Sequence, residues 1–238
     1  MTRGWLCGFC ALCLLLAGCA SIPRGDDGFA VLDDAEAHTT LAAIAAGTNG
    51  WRLVKYTLDC RFEVPETATH EAASEHVTAT CVWEPGNRLR LRARRYRVSV
   101  ADVLFDGSHW YFTDELNQRA YRTRHIARVR VQNIPRIFFR QLQQMPHGWI
   151  NPQDPHRVAV AADAYRVETQ TDAFTRRMIF PRDAALPSEV AITTPDGGAF
   201  HAALSAPDLS VTAHAAMFVP FTSGYEFYDL DTGERISN

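Results

Sequence analysis

Residues 88–112 read RLRLRARRYRVSVADVLFDGSHWYF, and this stretch decides the fold class. In Arg88-Leu89-Arg90-Leu91-Arg92-Ala93-Arg94, arginine and apolar residues alternate with period two. That is the pattern of a strand with one face on a core and the other in water. Val98 to Phe105 reads as a second strand, Asp106-Gly107 is a hairpin turn dipeptide, and His109 to Thr113 returns. Ala120 to Arg124 adds another strand. Upstream, Lys55 to Val64 and His76 to Trp83 read as two strands joined by a polar loop. Downstream, strands are expected at Arg157–Ala161, Tyr165–Gln170, Thr175–Pro181, Ser188–Thr194 and Phe200–Ser205, with a turn at Pro195-Asp196-Gly197-Gly198. About ten strands at short spacing, with no repeat of fixed period, predict one strongly curled antiparallel sheet rather than a solenoid or propeller.

Two helical segments break the rhythm. Residues 35–46, AEAHTTLAAIAA, carry Ala, Leu and Ile at helical spacing and stop at Gly47 and Asn49-Gly50. Pro135 suits the first turn of a helix running to about Gln144, with Ile134, Ile137, Phe138, Leu142 and Met145 near one face. Pro146, Gly148, Pro152 and Pro155 then mark a loop, and the tail from Met217 to Asp231 is rich in aromatics. The predicted class is mostly β with α: a single curled antiparallel sheet, an unclosed β-barrel, with a helical lid.

With 238 residues, 47% of them hydrophobic and 21% charged, the chain can bury a real core, which excludes a wholly disordered protein. A formal charge of −3 argues against a general nucleic-acid binder. One apolar run is long enough to cross a membrane, and it lies at the extreme N-terminus, so a polytopic membrane protein is excluded.

That N-terminus reads as an address. Arg3 supplies a positive start, Trp5 to Ala17 is apolar, and the run ends Leu16-Ala17-Gly18-Cys19. This resembles the lipobox of bacterial lipoproteins. The resemblance implies a signal peptide over 1–18, lipidation of Cys19 and a lipidated tether over 19–34, ahead of a folded domain over 35–238. Two or three acyl chains anchor firmly where one does not. If the source is Gram-negative, Ala20, where an aspartate would retain a lipoprotein on the inner membrane, points to the periplasmic face of the outer membrane. An ordinary N-terminal anchor with Cys19 incidental is the alternative.

Cys7, Cys10 and Cys13 lie inside the apolar run and leave with the signal. Cys60 and Cys81 remain, in an exported and oxidising compartment, where an even pair suggests a disulfide between the two hairpin strands. Two separately buried thiols are the other reading.

The order of elements, a helix, many strands, a second helix, more strands and a closing tail, resembles the lipoprotein-localisation fold of LolA, LolB and related carriers. Short pieces carry the resemblance: Trp83-Glu84-Pro85-Gly86-Asn87-Arg88 as a strand–proline–turn–strand, Asp102 to Trp110 as a D-x-L-x-D-G-x-x-W hairpin, Leu186-Pro187-Ser188-Glu189-Val190 with Thr194-Pro195-Asp196-Gly197, and Phe218 to Tyr225 near the C-terminus. The family fold implies an apolar cavity under a helical lid. Where the soluble carrier has a lid-latching arginine before the turn proline, this chain has Glu84.

Nine histidines invite a search for metal sites, but His70-Glu71 and Glu75-His76 lack ligand spacing, and no metal or cofactor is expected. No nucleophile motif survives signal removal, so the expectation is a non-enzyme. Asp102, if it faces inward, needs a partner such as an arginine. Residues 88–140 hold 13 arginines against four carboxylates. Such a face suits an anionic partner, and the alternative is a solvated strand face whose arginines pair locally.

The expected function is a membrane-anchored periplasmic lipoprotein that binds acyl chains of lipid or lipoprotein. Candidate cavity residues are Leu89, Leu91, Val98, Val100, Leu104, Trp110 and Phe112 from strands, with Ile134, Ile137, Phe138 and Leu142 from the lid. A non-catalytic envelope sensor or scaffold that binds a protein partner through the same fold is the alternative.

Overall fold

The computed structural model describes residues 28–66, 71–131, 134, 136–151 and 154–237. The signal segment and Cys19 lie outside the described residues. Fourteen strands form one sheet among them. They are β1 (Ala30–Val31), β2 (Val54–Val64), β3 (Ala73–Glu84), β4 (Arg88–Arg95), β5 (Val98–Phe105), β6 (Trp110–Asp114), β7 (Arg119–Thr123), β8 (His156–Val160), β9 (Ala164–Gln170), β10 (Thr175–Pro181), β11 (Glu189–Thr193), β12 (Ala199–Leu204), β13 (Glu226–Asp229) and β14 (Arg235–Ile236). The spatial order is β1-β8-β9-β10-β11-β12-β2-β3-β4-β5-β6-β7-β13-β14. The two ends do not meet, so the curl stays open, as the sequence predicted. One pairing departs from the antiparallel expectation: β13 runs parallel to β7, Phe227 opposite Ala120. The returning tail reaches this edge by a long crossing segment, and a parallel neighbour needs such a crossover.

Alternation along β2 decides which face is which. Val54, Tyr56, Leu58, Cys60 and Phe62 are buried and the residues between them exposed. Their register partners on β3 include Trp83, Cys81 and Ala79, which in turn oppose Leu89, Leu91 and Ala93 of β4. Leu89 and Leu91 oppose Phe105 and Val103. These residues line the concave face.

Helix α1 (Asp34–Ala46) is capped by Asp33, whose carboxylate accepts the Glu36 amide at 2.9 Å. It buries Ala37, Leu41 and Ile44. Helix α2 (Arg136–Gln144) lies in the concavity. Phe138 meets Phe62 and Phe200 at ring centroid distances of 5.0 and 5.2 Å, and Phe139 meets Phe112 at 5.9 Å. One helix thus packs on β2, β12 and β6 together, and its aromatic pairs contribute about 0.5–1.5 kcal/mol each beyond the area they bury.

The convex face has a smaller core. Leu53, Leu104 and Phe218 pack there with Val82, Tyr111, Val211 and Met217. The segment between β12 and β13 crosses this face as a strap.

Candidate ligand-binding site

The sheet and the lid fill the middle of the concavity. Leu89, Trp110 and Leu142 are fully buried, and Leu91, Phe112 and Phe138 nearly so. Between Leu58, Leu91, Phe138, Leu142 and Phe200 only about 20 Å³ is left, room for a single water molecule. The six residues Leu89, Leu91, Trp110, Phe112, Phe138 and Leu142 therefore stand on the expected side but form the core itself, not a cavity wall.

Three of the expected lining residues stand elsewhere. A bulge between Ala93 and Arg94 shifts the phase of β5. Val103 and Phe105 consequently face inward, and Leu104 faces the convex side under Phe218. A one-residue change of phase moves a strand's whole apolar set to the other face. Val100 is the extra residue of the bulge and is half-buried at the core's edge, while Val98 is 59% exposed.

The disulfide expectation is also corrected. Cys60 opposes Val77, and Cys81 opposes Tyr56. The two cysteines share a face but lie four residues out of register, about 13 Å along the strand, beyond the reach of a bridge. Both are free and buried. Burial pushes each thiol up to about 12, with the Asp59 carboxylate adding to the effect at Cys60.

Asp102 has the arginine partner that its position demanded, on the convex face. Arg90 Nε donates to both Asp102 oxygens at 3.0 and 3.1 Å, and Nη2 donates to the same carboxylate. Arg90 Nη1 donates to the carbonyls of Met217 and Val219 at 2.9 and 3.2 Å, which pins the strap. Much of the arginine excess resolves likewise into local pairs: Arg88 with Glu84, Arg92 with Asp102, Arg95 with Glu75, Arg119 with Glu226, Arg122 with Asp229 and Arg128 with Asp231.

The lid is held at three polar points, one of them Gln143 Oε1, which accepts the Ile126 amide at 2.9 Å. The Pro146 carbonyl just after α2 accepts Trp83 Nε1 at 3.1 Å and the Gly86 amide at 2.7 Å. The β3–β4 turn thus grips the lid although Glu84 itself pairs with Arg88. From the other side the buried Arg176 donates to Gln141 Oε1 at 2.7 Å and to Thr169 Oγ1 at 3.3 Å.

Open space adjoins the N-terminal end of the lid. A cavity of about 460 Å³ lies between α2, the segment Val129–Val131, the end of β2 and the β11–β12 turn. Val64, Pro65, Val129, Val131, Ile134, Ile137 and Ala173 supply apolar wall, and Arg130, Arg136, Arg140 and Asp196 supply charge. Of the expected residues, Ile134 and Ile137 reach this cavity. The rest of its wall was missed, because Val129-Arg130-Val131 belongs to no regular element and its alternation is only three residues long. The readable signal was Arg136 and Arg140, one helical turn apart on the lid's polar side. Thr194 Oγ1 and the Gly198 amide hydrogen-bond Asp196 and hold its carboxyl below the usual range. Among the described residues no group of three His, Cys, Asp or Glu is gathered as a metal site.

The described residues thus form one open, curled sheet of fourteen strands with a helix lying in its concavity. No protein-family model matches the sequence, and no curated protein matches it. An uncharacterised conserved protein from Thermus thermophilus superposes with a TM-score of 0.51 at 7% identity, over 81% of this chain and 99% of that one. A LolA superfamily protein from Nitrosomonas europaea gives 0.44 at 8% identity, over 77% and 97%. The Mycobacterium tuberculosis lipoprotein LppX gives 0.41 at 8%, over 76% and 100%. The likeness to the Thermus thermophilus protein is one of fold alone.

Proposed function

We propose that this chain, built on a LolA-like open barrel, is a non-enzymatic envelope lipoprotein, tethered through Cys19 to the periplasmic face of the outer membrane, that binds acyl chains. The observation that carries the reading is the cavity of about 460 Å³ at the lid's edge, whose apolar wall joins the sheet mouth to Ile134 and Ile137. Its volume is in the range of small-molecule sites, about 300–1,000 Å³. An acyl chain entering there buries apolar surface at about 25 cal/mol per Å², without displacing the core residues beneath the lid. Lifting α2 would require breaking the Pro146 and Gln141 contacts, so the mouth, not the filled centre, is the site of first binding.

The test is displacement of a fluorescent fatty-acid analogue from the protein. Binding with micromolar affinity, weakened about tenfold or more by Ile134→Glu, supports the reading. Failure to bind at high micromolar concentration contradicts it. Cys19→Ser should abolish labelling by radioactive palmitate, and equal labelling of mutant and wild type would remove the tether from the account.

A second reading has its own observation. The concavity under the lid is filled by the protein's own side chains, with about 20 Å³ left over. That suits an envelope sensor or scaffold whose outer surface binds a protein partner.

A further inference from the structure

Among the described residues, seven of the thirteen arginines between 88 and 140 have a carboxylate partner, and the three around the cavity, Arg130, Arg136 and Arg140, are among the six that do not. Arg136 and Arg140 are exposed and, among the described residues, have no ion pair. Arg130 donates through Nη1 to the Ala127 and Val129 carbonyls at 2.6 and 3.0 Å, which fixes its side chain against the wall. Its other guanidinium nitrogens have no partner among the described residues.

This placement opposes two local preferences. Like charges one helical turn apart repel. A cation in the first turn also meets the positive end of the helix dipole, where a carboxylate would be favoured, and α2 has no acidic residue in its first turn. Both penalties are relieved by an anion held between the arginines. The opposing charge on the rim is Asp196, whose carboxylate accepts hydrogen bonds within its own loop from Thr194 Oγ1 and the Gly198 amide. Three guanidinium groups against one engaged carboxylate leave the rim electropositive over an apolar floor.

We infer that the rim is a head-group site: Arg130, Arg136 and Arg140 bind the phosphate of an anionic phospholipid whose acyl chains occupy the cavity floor. Guanidinium forks match phosphate oxygens in a bidentate way, and charge-assisted hydrogen bonds of this kind are the stronger class. The inference rests on the acyl-binding reading and adds selectivity to it.

The experiment uses the full-length protein in neutral detergent micelles, with native mass spectrometry reporting bound lipid. Dihexanoyl phosphatidylglycerol, dihexanoyl phosphatidylcholine and inorganic phosphate are titrated separately. The phosphatidylglycerol form should bind about tenfold more tightly than the phosphatidylcholine form, a gap that narrows in high salt. In Arg136→Gln/Arg140→Gln the ratio should fall toward one, and in Arg136→Lys/Arg140→Lys most of the preference should remain. Thermal melts check that both variants fold. Equal binding of the two lipids by the wild-type protein overturns the head-group site and leaves acyl binding standing. Binding of neither lipid overturns both. A preference that survives the glutamine pair assigns selectivity elsewhere, and inorganic phosphate binding as tightly as the anionic lipid overturns the lipid assignment.

Discussion

At the scale of single residues, the ion pair of Arg90 and Asp102 has the most depending on it. Both are buried, at 5% and 8% exposure, and the same guanidinium holds the strap carbonyls. Removing one partner of a buried pair strands the other charge, so Asp102→Ala should lower stability by about 3–5 kcal/mol in urea melts. It should also expose the strap to protease. The pair Arg90→Met/Asp102→Leu should lose less, because no charge is left unpaired; equal losses would mean that the stranded Arg90 charge costs nothing beyond the lost contacts. The cysteines give a second residue-scale test. With both thiols buried and their ionisation pushed to about 12, neither should react with iodoacetamide in the native protein, and both should react once it is unfolded without reductant. A Cys60–Cys81 disulfide peptide would overturn the register described here. The even cysteine count was legible in the sequence; the offset was not, because β3 begins at Ala73, three residues before the strand signal at His76, and the shorter loop sets a different register.

At the scale of elements, period-two alternation placed every strand from β2 to β12, and helical spacing placed both helices, within a few residues. What it misplaced was phase. Leu104 and Leu91 look alike in the sequence, and only the bulge at Ala93/Arg94 puts them on opposite faces. The hairpin that follows the bulge is itself strained: Tyr96 and Arg97 form its two-residue turn with φ of +48° and +72°. Such turns favour Asn-Gly, since side chains rarely adopt left-handed backbone. Tyr96→Asn/Arg97→Gly should therefore raise stability by about 1 kcal/mol, read as a higher urea midpoint, and a lower midpoint would show that the exposed Tyr96 ring contributes contacts outweighing the strain. The parallel edge gives a pH test. Hydrogen bonds from Arg122, at 2.5 and 3.1 Å, hold Asp229 below the ordinary aspartate value of 3.8. A carboxyl depressed in the folded state stabilises above its unfolded value and loses that contribution as pH falls through the folded value. Amide exchange at β13 should therefore quicken, relative to β2–β4, as pH drops below about 4, after correction for the intrinsic rate. Asp229→Asn should remove the difference, and an unchanged profile would detach Asp229 from the edge's stability.

At the scale of the whole molecule, the open barrel and its lid were legible from element order, and the ligand site was not. The sequence marks apolar residues as buried without saying whether they face one another or empty space. Phe62, Phe138 and Phe200 close on one another, whereas Val64, Val131 and Ile134 leave the mouth open. The central claim is that acyl chains occupy this mouth. Photo-crosslinking tests it most directly: the full-length protein in membranes is irradiated with a diazirine-bearing fatty acid, with and without excess natural fatty acid, and the adducts are mapped by peptide mass spectrometry. Competable adducts concentrated at residues 129–137 and at Val64 are the predicted result. Adducts confined to the convex strap, or none that natural fatty acid competes away, would contradict it.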